Sequence, residues 1–210
     1  MSIMVDLEAV QREGFPVGGE PLVALDLVDT EIVVVDPAQD LLEAPERSAA
    51  WWALQAARLP EESSAPDPAA VRRLRTAIRD LFDAHLEGRA PRATSVEDVN
   101  AAAASVPASP RLSYVVDTNG GFHGATTRVG TRWHTEYGGN VALAFIAREA
   151  IDLFAAPDRL ARLRRCANPA CSMLFLAETS RRQWCASNVC GNRVRVARHQ
   201  EKVRAAKHAD

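Results

Sequence analysis

Residues 166–200 read C-A-N-P-A-C-S-M-L-F-L-A-E-T-S-R-R-Q-W-C-A-S-N-V-C-G-N-R-V-R-V-A-R-H-Q, and this stretch holds every cysteine of the 210-residue chain. Cys166 and Cys171 are spaced C-x4-C, thirteen residues intervene, and Cys185 and Cys190 repeat the C-x4-C spacing. Met1 to Glu8 carries no basic secretory n-region, so the expectation is a cytoplasmic chain, in which two close cysteine pairs read as a metal site rather than a disulfide framework. Zinc suits four thiolates because it is borderline soft, redox-inert and satisfied by a tetrahedron. Four protein ligands leave no open position, so the reading is one structural Zn2+ per chain, with an iron–sulfur cluster or free thiols as alternatives. Asn168-Pro169 supplies the turn between the first two ligands. Met173–Leu176 reads as a short strand, 180–183 as the turn back, and Trp184 as packing against the site. From Gly191 the pattern is helical to about Ala206.

Charge divides the chain at the same place. Residues 1–158 hold 13 Arg against 24 Asp and Glu, a balance of −11; residues 159–209 hold 10 Arg and 2 Lys against Glu178 and Glu201, a balance of +10. The acidic part repels nucleic acid and the tail attracts it. The expectation is two domains, 1–158 and 159–210, with the acidic one able to cover the basic surface when no polyanion is present. With 47% apolar and 25% charged residues and no apolar run long enough to span a bilayer, the composition is that of a globular chain without a membrane segment.

At 100° per residue, Val196 and Val203 fall on one seam of the C-terminal helix, expected to face the zinc module. Arg195, Arg198 and Lys202 cluster on the opposite side, where they suit phosphates or a major groove. Arg181 and Arg182 are grouped with them as nucleic-acid contacts. A zinc tetrathiolate carries net −2, so Asn192 and Arg193 are read either as supports of the ligands or as DNA contacts.

The remainder predicts an α+β fold that is mostly helical with a small antiparallel sheet. Strands are expected around Val23–Leu27 and Ile32–Val35, and a helix from Pro45 to about Arg58. Asp67-Pro68 caps a helix with Val71, Leu74, Ile78, Leu81 and Phe82 on its apolar face, ending near Gly88. Ser95 is expected to cap an Ala-rich helix to about Ser105. Arg111 to Arg128 reads as a hairpin around Asn119-Gly120, and Tyr137 to Ala155 as a helix. The chain has 37 Ala and only 2 Lys, a bias suggesting a GC-rich bacterial genome. Catalytic motifs are missing: Gly120-Gly121-Phe122-His123-Gly124 lacks the phosphate-loop lysine, and no H-E-x-x-H or G-x-S-x-G occurs. His85, His123, His134 and Glu136 read as edge or surface residues. Asp26 and Asp29, alternating with apolar residues, are left as caps or ligand contacts.

Cys190-Gly191-Asn192-Arg193, preceded by Arg181-Arg182, Trp184-Cys185 and the Cys166/Cys171 pair, resembles the CGNR zinc finger of bacterial proteins. That finger commonly follows an N-terminal domain called ABATE. Leu25-Asp26-Leu27-Val28-Asp29-Thr30 is similar to that domain's L-D-F-V-N-T, and Leu41-Leu42, Trp51-Trp52 and the lead-in Arg159 to Cys166 fit it as well. Asp29 stands where the family has Asn, Leu27 where it has Phe, and Ala177-Glu178-Thr179-Ser180 replaces a longer basic turn. The resemblance implies a stress-induced transcription regulator, not an enzyme, whose tail binds DNA. Its N-terminal domain would sense a small-molecule effector or set a homodimer. The alternatives are a ligand-binding or enzymatic domain stapled by zinc, or a tail that binds RNA or an acidic protein.

Overall fold

The computed structural model describes residues 14–15, 22–115 and 126–207, and of residues 114, 115, 126, 187, 188, 198 and 201–207 the backbone alone. The fold is α+β. Helix α1 (Val23–Val28) is followed by the short strands β1 (Glu31–Ile32) and β2 (Gln39–Asp40), and by α2 (Pro45–Gln55), which ends in a 3-10 turn at Ala56–Arg58. Next come α3 (Pro68–Glu87), α4 (Ala93–Ala104), the ribbon β3 (Ala108–Val115) and β4 (Thr126–Trp133), and α5 (Val141–Phe154). A single turn, α6 (Pro157–Leu160), leads into β5 (Leu163–Arg165), β6 (Leu174–Leu176), a π-helical turn at Ser187–Gly191 and α7 (Asn192–Lys207). Each sheet is an antiparallel pair, β1–β2, β3–β4 and β5–β6.

Several boundaries follow from local chemistry. Asp67 accepts the Ala70 N–H at 2.9 Å with Pro68 in the first helical turn, and Gly88 ends α3 at φ 65°, a left-handed conformation suited to glycine. Asn140 caps α5 by accepting from Leu143. Gly139 has φ 82°, and a Cβ there would lie 2.4 Å from the Ser105 carbonyl oxygen, so only glycine fits this close approach.

Three expectations are corrected. Residues 23–28 form a helix and not a strand. All six are buried, so the segment has no polar face to betray a helical period. It sits in the core beside α3 and α5, and the Glu149 carboxylate of α5 accepts the Ala24 N–H at its start. Tertiary burial overrides the strand propensity of its valines. The strand expected over 32–35 stops after Ile32, and Val33, Val34 and Val35 are exposed in the turn before Pro37, which has no N–H to donate to a ladder. Helix α4 begins at Ala93, with Ser95 inside its first turn. Its cap is supplied from α3, where the buried Asp80 accepts the Arg92 N–H at 2.8 Å. The expected hairpin turn at 117–121 and His123 lie outside the described residues.

The main core joins α1, α3, α4 and α5 around Leu25, Leu27, Ile78, Phe82, Ile146 and Leu153, and it also takes in Leu163, Leu174 and Leu176 from β5 and β6. The four-cysteine module is therefore seated on the helical body through its own hairpin. A separate small cluster of Val106, Trp133, Val141 and Ala144 anchors the foot of the β3–β4 ribbon, with the Arg148 guanidinium 4.7 Å above the Trp133 ring.

Candidate metal centre

The loop between β5 and β6 carries the first cysteine pair. Cys166 donates its N–H to the Met173 carbonyl at 2.9 Å, and Cys171 donates to the Asn168 carbonyl at 2.9 Å. The Asn168 side chain accepts from Ala170 at 3.1 Å, fixing the tight turn that Asn-Pro promised. The second pair is built differently. Cys185 ends a loop, and the π-helical turn, in which Cys190 donates to the Ala186 carbonyl at 2.9 Å, brings Cys190 round to the start of α7.

These elements place all four sulfurs within 4.8 Å of one another. The Cys171–Cys185 Sγ separation is 3.8 Å and Cys185–Cys190 is 3.6 Å. A tetrahedron of Zn–S bonds near ~2.3 Å has edges of ~3.8 Å, so the cluster fits a zinc ion. Cys166, Cys185 and Cys190 are buried and Cys171 half-buried. The metal-free thiols titrate unequally: hydrogen bonds from the Cys185 thiol and the Met173 backbone hold Cys171 down to about 5, while burial raises Cys166. A thiolate already favoured at one ligand suits a dication, since zinc must displace the remaining protons.

The surroundings hold the ligands from both sides. Gly191 lets the Trp184 indole lie against the turn: a Cβ there would meet the ring's Cδ1 at 2.9 Å. Arg182 stacks over Phe175 at 4.6 Å and donates to the carbonyls of Trp184 and Cys185 at 3.2 and 2.6 Å. Grouped with the DNA contacts from sequence, it instead ties the two halves of the module together. Arg181 is exposed.

Helix α7 leaves the module at once. Its described side chains from Asn192 to Gln200 are exposed except Val194, which is half-buried. The expected seam is corrected at Val196, which is 54% exposed, and the side chain of its expected partner Val203 lies outside the described ones. Arg195 is exposed and bonded to Asn192. Arg193 is exposed and makes no hydrogen bond or ion pair among the described residues. Arg198 and Lys202 lie on the helix, with side chains outside the described ones. A charge contact between the module and the acidic body comes from Arg165, 3.0 Å from both Asp83 and Glu87.

Sequence reading missed what fastens the module to the body. Asp29, only 2% exposed, accepts the Leu174 N–H, and Arg79, also buried, donates to the Ser172 carbonyl at 2.7 Å and to Asp83 at 3.2 Å. Burial pushes the Asp29 carboxyl well above its ordinary range. Asp26 is likewise internal, held by Arg58. The only hint was the i, i+4 spacing of Arg75, Arg79 and Asp83 beside the apolar face of α3. His134 is bonded to Ser109 and Glu136, both at 3.0 Å, and His85 meets the edge of Phe154. A cleft of about 980 Å3 opens where the module meets the body, walled by Phe15, Leu41 and Arg47 on one side and by Cys171, Met173 and Arg193 on the other.

Among the described residues, no helix is long and apolar enough to cross a membrane. No curated protein matches the chain at a significant level. Two family models do. The CGNR zinc finger model covers residues 162–203, which contain all four clustered cysteines, and the ABATE model covers residues 22–157, a family described as "Putative stress-induced transcription regulator". Neither is an enzyme family. With the helical body matched over most of its length and the metal cluster falling inside the finger, the chain belongs to the ABATE family and ends in a CGNR zinc finger.

Proposed function

We propose that this protein is a zinc-dependent, DNA-binding transcription regulator of the bacterial cytoplasm, and not an enzyme. One observation carries the reading: α7 is fixed at its first residue to the metal cluster and carries its described arginines, Arg193 and Arg195, into solvent. A cationic helix held at one end, with exposed arginines in its described part, suits a duplex groove or its phosphates. In this reading zinc supplies no chemistry beyond folding the module. Cys166, Cys171, Cys185 and Cys190 hold one ion per chain. Arg195, Arg198, Lys202 and Arg181 face DNA, and Arg193 and Asn192 join them at the helix start. Residues 1–158 form the regulatory domain and residues 159–210 the reading domain.

The cleft between body and module favours a second role for the same chain. It is of a size that takes small ligands, and it touches both Arg47 of the body and Arg193 of α7. A small-molecule effector bound there would act directly on the first turn of the reading helix. Homodimerisation would pair two such helices on two half-sites.

The test is an anisotropy titration of the zinc-loaded protein on selected and random duplexes at several salt concentrations. Lys202→Ala is expected to flatten the log K against log salt slope by about one unit if it contacts a phosphate. Loss of an arginine that grips guanine is expected to cost about 1–3 kcal/mol at a single base pair. Equal affinity for heparin, RNA and every duplex, or no binding at all, would overturn the reading and leave the ligand-binding domain with a zinc staple.

A further inference from the structure

Most arginines of the helical body are turned to acids of the same body. Arg75 meets Asp40 at 2.6 Å, Arg79 meets Asp83 at 3.2 Å, and Arg89 and Arg92 meet Asp80 at 3.0 and 3.3 Å. The β3–β4 ribbon gathers arginines of the other kind, which, like Arg72 and Arg73 of α3, have no close carboxylate among the described residues. Its two strands carry Arg111, Arg128 and Arg132 and no acidic residue. Arg111 and Arg128 meet no carboxylate among the described residues, and Arg132 only approaches Glu136, at 4.0 Å. All three are exposed.

Register puts them together. The pairs Ser109↔Arg132, Arg111↔Gly130 and Ser113↔Arg128 are alternate rungs of the ladder, so their side chains share one face. The three arginines thus occur on every second rung, roughly 6.8 Å apart along the ribbon at a rise of ~3.4 Å per residue. That interval is of the order of the separation between successive phosphates on one nucleic-acid strand. Gly130, opposite Arg111, has open space where a Cβ would stand. Ser109 and Ser113 add hydroxyls to the same face. The ribbon is anchored at its foot, where Trp133 enters the small apolar cluster, and a two-stranded ribbon is narrow enough to lie along a duplex.

The opposite face carries Leu112 and Val129, 71% and 75% exposed, paired on one rung. A second copy of the chain is the competing occupant for that face. The arginine row decides between them: three exposed guanidinium groups on alternate rungs suit a polyanion, whereas Leu112 and Val129 fill one rung of a face whose neighbouring rungs, Pro110↔Thr131 and Tyr114↔Thr127, are partly polar. We propose that the face formed by Arg132, Arg111 and Arg128 is a second DNA contact, lying on the phosphate backbone of the duplex. It rests on the DNA-binding reading of α7 and adds a contact from the opposite half of the chain.

The experiment uses the full, zinc-loaded chain and a random duplex of about 30 base pairs, with affinity measured by anisotropy between roughly 50 and 200 mM salt. The combined variant Arg111→Gln, Arg128→Gln and Arg132→Gln is expected to flatten the salt slope by about 2–3 units, at ~0.9 per phosphate contact, and to weaken low-salt binding by at least tenfold. Arg128→Gln alone, with a single exposed side chain changed, is expected to flatten it by about one unit. Val129→Thr is expected to leave the slope unchanged. A wild-type chain that binds with a slope the triple variant preserves overturns the ribbon contact alone. A wild-type chain that binds no duplex overturns the ribbon contact and the regulator reading together. An unchanged slope accompanied by a lower mass in light scattering overturns it in favour of a second copy on the ribbon.

Discussion

Asp29 and Leu174 stand 145 residues apart, and the Asp29 Oδ1 accepts the Leu174 N–H at 3.0 Å in a fully buried contact. The bond joins the end of α1 to the first residue of β6, so the acidic body and the zinc module share a hydrogen bond at the centre of their junction. Asp29→Leu leaves that N–H without a partner and is expected to cost about 1–3 kcal/mol. Asp29→Asn keeps an acceptor oxygen and removes the burden of a buried carboxylate, so it is expected to stay within about 1 kcal/mol of wild type. Denaturant titrations of the two variants check this, and equal losses would show that the charge and not the acceptor matters.

Zinc removal is expected to weaken more than the tail. Leu163, Leu174 and Leu176 belong to the main core, and binding energy at a structural zinc site is largely folding energy. Chelation, or Cys185→Ser, should lower the melting temperature reported by the core residue Trp51 as well as by Trp184 at the metal cluster. Elemental analysis should find about one zinc per chain. A Trp51 transition that does not move on chelation would show that the body stands alone.

Glu149 gives a pH dependence of unusual sign. Burial pushes its carboxyl up to about 7, although it accepts backbone N–H groups at the start of α1 and faces Arg58 and Asp26. An acid with its folded-state value above its unfolded one binds more protons when folded between about 4.5 and 7. Stability should therefore fall as pH rises through that window, by up to about 3 kcal/mol from this group. Glu149→Gln should flatten the fall and be the more stable protein at pH ~8. Thermal melts across the window decide it.

Asp80 works in the opposite direction. Hydrogen bonds from Arg92, Ser95 and Arg89 outweigh its burial and hold it at about 2. Its contribution is present above the ordinary aspartate value and is lost as pH falls toward that lower value. Asp80→Ala removes the cap of α4 and is expected to cost about 0.5–2 kcal/mol at neutral pH, with a smaller difference from wild type in acid.

Gly191→Ala is expected to cost about 1–3 kcal/mol and to speed zinc loss to a chelator, because the new methyl meets the Trp184 ring. Trp184→Leu in the same chain should relieve part of that cost, a coupling measurable by a double-mutant cycle.

The clustering of the four cysteines, the α3 caps at Asp67 and Gly88, and the presence of a hairpin on either side of 116–125 were legible in the sequence. Each depends on residues close in the chain: paired cysteines, an Asp-Pro start with a glycine stop, alternating apolar and polar side chains. The site of the basic helix was legible for the same reason. What α1 becomes was not, since V-A-L-D-L-V is enclosed on every side and its conformation is set by Glu149 and by the helices around it. Nor was the role of Arg182, which depends on the Phe175 ring of β6 lying beneath its guanidinium, or the 54% exposure of Val196. Charge split the sequence in two, but Asp29, Arg79 and Arg165 fasten the halves into one body. The bonds of the buried Asp29 and Arg79 are tertiary because a buried charge needs partners, and here the module's Leu174 N–H and Ser172 carbonyl supply them.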